Sequence, residues 1–95
     1  MIREEAKRVA QQYLAQFRDV PYDGLRDLMA RCPLACDAVG PSGTQYQLEL
    51  QIQWNDQPHG DLRVVALADD LGLRGSVRPE AVDFVRAPDG TFVGE

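Results

Sequence analysis

From Gln45 to Asn55 the chain alternates without a break, with Tyr46, Leu48, Leu50, Ile52 and Trp54 separated by Gln45, Gln47, Glu49, Gln51 and Gln53. Large apolar side chains at every second position predict a β-strand with one buried and one polar face. Leu62, Val64, Ala66 and Ala68 resume the same alternation after a polar loop over residues 55–60, so a second strand is expected there. If Asn55 lies opposite Asp61, then Trp54 faces Leu62, Ile52 faces Val64, Leu50 faces Ala66 and Leu48 faces Ala68. Each bulky residue then meets an equal or smaller one on the core side.

The first third of the chain has a different period. Ile2, Ala6, Val9, Ala10, Tyr13, Leu14 and Phe17 form a wide apolar stripe, with Arg3, Glu4, Lys7, Arg8, Gln11, Gln12 and Arg18 on the other side, which predicts a helix over residues 2–18. Val20-Pro21 interrupts it, and proline suits the first turn of a new helix, expected over 21–31 and closed by Cys32-Pro33. Residues 37–43, with Gly40, Pro41, Ser42 and Gly43, read as a connector between a helical and a sheet half. Further on, Asp69 to Gly72 reads as a turn, Leu73 to Arg78 as a third strand, and Pro79 to Val82 as a single helical turn. Ala87-Pro88-Asp89-Gly90 is a type I turn signal between Phe84-Val85 and Phe92-Val93, and predicts a short terminal hairpin. These elements make one α+β domain over residues 1–95, in which two N-terminal helices pack on a three- to four-stranded antiparallel sheet over about 44–94.

A length of 95 residues allows one core and not two. The net charge of −5 is uneven: through Cys36 six basic residues stand against five acidic, and from Asp37 onward four arginines stand against ten acids. A clustered basic footprint is missing, which argues against nucleic acid as a partner. No stretch approaches a membrane span and the N-terminus lacks a signal-peptide core, so a cytoplasmic protein that does not enter a membrane is expected.

Candidate chemistry is sparse, and neither a catalytic residue nor a cofactor or metal is expected. Cys32 and Cys36 have three residues between them where metal and redox motifs usually have two, and His59 is the lone histidine available to complete a zinc site. Two small buried hydrophobes at the end of the second helix are the plainer account. His59 beside Asp56 and Asp61 has the parts of a general base, yet no nucleophile or oxyanion donor is indicated, and a solvent-exposed loop tip explains it. Asp69 and Asp70, with Asp83 or Glu80, lack the density of oxygen ligands that a hard cation needs.

The strand register also defines an outer sheet face, which carries Gln47, Glu49, Gln51 and Gln53, then Arg63, Val65 and Leu67, then Arg74 and Arg78. Arginine and glutamine suit bidentate and amide contact with a carboxylate-bearing ligand, and two exposed aliphatics suit a subunit interface. A plain solvated face, with Arg74 paired to Glu49, would look the same. An interaction or accessory domain, as a homodimer or with a protein partner, is therefore expected. A pocket between the first helix and the sheet, bordered by Tyr13, Tyr46 and Trp54, is the alternative and would suit a small molecule or an enzyme.

Several segments of the sheet half also bear on this: Tyr46-x-Leu48-Glu49, Trp54-Asn55-Asp56, Gly60-Asp61-Leu62-Arg63-Val64, Pro79 ahead of Phe84, and Pro88 through Glu95. Over residues 44–95 they resemble small bacterial α+β domains of no assigned function. The helix-then-curved-sheet order is also similar to cystatin-like and nuclear-transport-factor-like folds, which usually have more strands. These resemblances imply a fold and no activity.

Overall fold

The computed structural model describes residues 3–70 and 79–95. Its elements run α1 (Arg3–Ala15), α2 (Tyr22–Met29), β1 (Leu34–Val39), β2 (Gln45–Trp54), β3 (Leu62–Asp70) and β4 (Glu80–Arg86). The strands form one antiparallel sheet in the order β1-β2-β3-β4. Both helices pack on the same face of it, as an α+β layer requires.

The apolar stripe of α1 is buried through Ala6, Val9, Ala10 and Leu14. Regular helix stops at Ala15, three residues short of the expected end. Amides of Gln16, Phe17, Arg18 and Val20 then bond to carbonyls three residues back, at 2.9–3.2 Å. These tighter turns satisfy carbonyls of the last helical turn that would otherwise be orphaned and carry Phe17 on to the core. Pro21 caps α2 from an extended conformation rather than lying within it, and α2 ends at Met29, short of the expected Arg31. Tyr22 and Leu25 are its buried residues, and the Tyr22 hydroxyl donates to the Gly60 carbonyl at 2.6 Å.

The β2–β3 register is the expected one, with Trp54 opposite Leu62, Ile52 opposite Val64, Leu50 opposite Ala66 and Leu48 opposite Ala68. The Asn55 amide bonds to the Asp61 carbonyl at 2.8 Å at its end. Three expectations change. Residues 37–43 are not a connector, because 34–39 form edge strand β1 against β2. Asp69 and Asp70 do not turn but extend β3, opposite Gln47 and Tyr46. Residues 80–86 are a strand rather than a helical turn, with Val82 opposite Ala66 and Phe84 opposite Val64. In each case small or polar residues diluted the alternation, and pairing with a neighbouring strand decided the conformation. The strand expected over 73–78 lies outside the described residues.

The β1–β2 hairpin and the C-terminal hairpin close on the same chemistry. In Gly40-Pro41-Ser42-Gly43-Thr44 and Ala87-Pro88-Asp89-Gly90-Thr91, the first amide bonds to the last carbonyl and the glycine amide to the first carbonyl. Gly43 and Gly90 take φ of 86° and 91°, which is the left-handed bulge position after a type I turn. Ser42 Oγ lies 2.8 Å from Thr44 Oγ1, and Asp89 Oδ1 accepts from the Thr91 hydroxyl at 2.7 Å and its amide at 3.0 Å. The second hairpin is the expected one, and it brings Phe92 back beside Arg86.

Candidate functional site

Odd-numbered residues of β2 and β3 face away from the helices, so the register places Gln47, Glu49, Gln51, Gln53, Arg63, Val65 and Leu67 on one outer surface. The flanking strands add Ala35, Asp37 and Val39 on one side and Ala81, Asp83 and Val85 on the other. Arg74 and Arg78, expected on the same surface, lie outside the described residues. Among the described residues the charges on this face are those of Asp37, Glu49, Asp69 and Asp83 against Arg63.

Arg63 is already engaged: its Nε donates to Asp83 Oδ2 at 2.7 Å. Gln51 Nε2 donates to Glu49 Oε2 at 2.6 Å along the same strand. Val65, at the centre, is only 8% exposed, and Leu67 beside it is half-buried. A shallow hollow of about 170 Å³ lies between Ala35, Gln47, Glu49, Leu67, Asp69 and Pro79. Among the described residues the surface therefore has a small apolar centre, four carboxylates around it and one arginine paired within it.

The helix side offers a second concavity. A groove of about 260 Å³ separates α1 from β1, lined by Val9, Tyr13, Cys36 and Leu48 with Gln12 and Gln16 at its mouth. Burial pushes the Tyr13 hydroxyl up to about 12, helped by the Cys36 thiol within hydrogen-bonding reach. Tyr46 and Trp54 do not border this groove. Tyr46 is fully buried and donates to Glu5 Oε1 at 2.8 Å, and Trp54 meets the His59 ring in a tilted contact, with centroids 5.5 Å apart and planes at 48°.

His59 sits at the exposed loop tip with φ of 66°, and Asp56 accepts a long 3.5 Å contact from Asn55. The cysteines are free and are not a buried pair: Cys32 is half-buried, with its thiol pushed up by desolvation, and Cys36 is exposed on β1. Among the described residues no group of His, Cys, Asp and Glu is arranged to hold a metal ion, and no helix is long and apolar enough to cross a membrane.

Two polar clusters were not anticipated. Glu5 accepts from the Ser42 amide at 2.9 Å and hydroxyl at 2.7 Å as well as from Tyr46, which ties α1 to the first hairpin. Arg86 donates to the carbonyls of Gly90, Arg18 and Val20 at 2.8–3.0 Å, which ties the second hairpin to the end of α1. Both join elements distant in sequence, so no local pattern announces them. Comparison with protein-family models, curated proteins and solved structures finds no match to this chain.

Proposed function

We propose that the protein is a non-enzymatic interaction domain that acts through its outer sheet face. The observation that carries this reading is the one-sided layering: both helices cover one face of the sheet, and the other holds Val65 and Leu67 inside a rim of amides and carboxylates. Fully buried patch centres are apolar and their rims polar in protein interfaces. The excess of carboxylates among the described residues favours a partner whose own rim is basic, since complementary charge steers encounter and like charge opposes it. Carboxylate recognition through Arg63 loses support, because its guanidinium is held by Asp83, while Arg74 and Arg78 lie outside the described residues. The alternative of a small-molecule or catalytic pocket keeps a groove under α1, where the Tyr13 hydroxyl and the Cys36 thiol lie within reach of each other, but Tyr46 and Trp54, expected at its border, do not line it.

The test compares proteins captured by the native chain and by Leu67→Arg, after circular dichroism shows both folded. Loss of the captured proteins by the variant is expected. Identical capture by both chains would remove the outer face from the reading.

A further inference from the structure

β1 is the unprotected edge of the sheet. Among the described residues no strand or helix lies beyond it. Natural edges are usually blunted by charged side chains, proline, a bulge or a covering segment; Leu34–Val39 has one charge, Asp37, and no proline or bulge within it, pairing with β2 in unbroken register. The other edge strand differs: the Val93 amide bonds back to the Val85 carbonyl at 2.9 Å, so the terminal hairpin covers the end of β4.

The turn determines which backbone groups of β1 are open. The Gly40 amide bonds to the Thr44 carbonyl at 2.9 Å, which makes Gly40 and Thr44 a hydrogen-bonded pair. Such pairs alternate along an antiparallel ladder, so Ala38, Cys36 and Leu34 bond to β2. The N–H and C=O groups of Ala35, Asp37 and Val39 point away from it. We propose that this edge pairs antiparallel with β1 of a second copy of the chain, about a two-fold axis at Cys36, to give a continuous eight-stranded sheet.

Self-pairing requires the outward-facing residues of one copy to meet those of the other, and few registers allow that. Centring on Asp37 sets two carboxylates directly opposite, which is destabilising. Centring on Ala35 calls on Pro33 to donate to Asp37 of the other strand, and proline has no N–H. Centring on Ala38 brings Pro41 opposite Ala35 and shortens the overlap. Centring on Cys36 pairs Ala35 with Asp37 twice, and Val39 can still donate to the Pro33 carbonyl. On the helix side Leu34 then meets Ala38 across the axis, large against small, along the open flank of the α1–β1 groove. A foreign peptide would satisfy the same backbone groups, but this strand supplies its own complement in length, polarity and side-chain size.

The register has a chemical reporter. Cys36 is exposed and faces its counterpart in a non-hydrogen-bonded pair, with Cα atoms about 4.5 Å apart. That is within the roughly 4.4–6.8 Å that a disulfide spans. In the test, the native chain is examined by sedimentation under reducing conditions and then treated with diamide. The two thiols give up two protons and two electrons, one S–S bond forms, and diamide is reduced to its hydrazine.

The expected result is a shift from 10.6 kDa to twice that mass with rising concentration, and a covalent dimer that Cys36→Ser abolishes and Cys32→Ser leaves intact. Asp37→Pro removes an outward donor without touching the β1–β2 ladder and should abolish the dimer. Should that variant fail to fold, exchange of the Ala35 and Asp37 amides in the native chain gives the same answer, slowing as concentration rises. A monomer at the highest soluble concentration overturns the proposal. So does a dimer whose Ala35 and Asp37 amides exchange as fast as in the monomer, or one that links through Cys32. The outer-face reading stands or falls separately, since Leu67→Arg does not touch the β1 backbone.

Discussion

Glu5 shows how one side chain can hold two elements together. Its carboxylate takes three hydrogen bonds from Ser42 and Tyr46, and these hold it below the usual carboxylate range, Ser42 contributing most. Asp89 and Glu95 are lowered as well, by Thr91 and Arg18. A carboxyl whose folded pKa is depressed binds more protons when unfolded, so its stabilisation is present above the unfolded value and lost as pH falls through the folded one. Urea midpoints should therefore fall as pH drops below about 4.5, and Glu5→Gln should make that fall shallower. At the alkaline end Tyr46 is pushed up to about 12, first by burial and then by Glu5. Its contribution is complete below the unfolded value near 10 and disappears through about 12. Gly40 belongs to the same cluster, because a Cβ there would lie 2.5 Å from Glu5 Oε1. Gly40→Ala must displace the carboxylate, so a lower urea midpoint is expected, together with loss of the Glu5→Gln effect in the double variant.

At the scale of elements, legibility followed the strength of the alternation. The β2–β3 pair was readable to the residue because Tyr46 to Trp54 and Leu62 to Ala68 carry large apolar groups at every second position. β1 was not, since Leu34, Cys36 and Ala38 bury little and Ala35 beside them is apolar too. The turn did hold the missing information: Gly40-Pro41-Ser42-Gly43-Thr44 matches Ala87-Pro88-Asp89-Gly90-Thr91, and a hairpin turn implies a strand on each side. The outer face was legible as a set of positions, whereas its carboxylate-rich balance depends on strands β1 and β4, which the alternation alone did not disclose. The tie between the second hairpin and α1 was equally invisible. There Arg18 lies 4.0 Å and Arg86 4.5 Å above the Phe92 ring centroid, and Arg86 donates to the carbonyls of Arg18 and Val20 in the turns that follow α1. Arg86→Met keeps the stem and removes the donors. It should cost about 2 kcal/mol in urea unfolding, the range for hydrogen bonds from a charged group; an unchanged midpoint would show that water replaces them.

For the whole molecule, the two faces of one sheet must answer to different demands, and substitutions can separate them. Leu50 is fully buried between Leu34 and Ala66 on the helix side, while Leu67 lies on the outer side between Glu49 and Ala81. Truncating Leu50 to alanine removes transfer energy and leaves a cavity, at about 2–5 kcal/mol. A domain of this size has a total stability of roughly 5–15 kcal/mol, so Leu50→Ala should bring the chain close to unfolding at ambient temperature. Leu67→Arg removes only half-buried surface, and the arginine can extend into solvent among Glu49, Asp69 and Asp83, so a change within about 1 kcal/mol is expected. Urea titrations of the two variants check the division. If Leu67→Arg proved as costly as Leu50→Ala, the outer face would be holding the fold together, and the loss of a partner by that variant would say nothing about recognition.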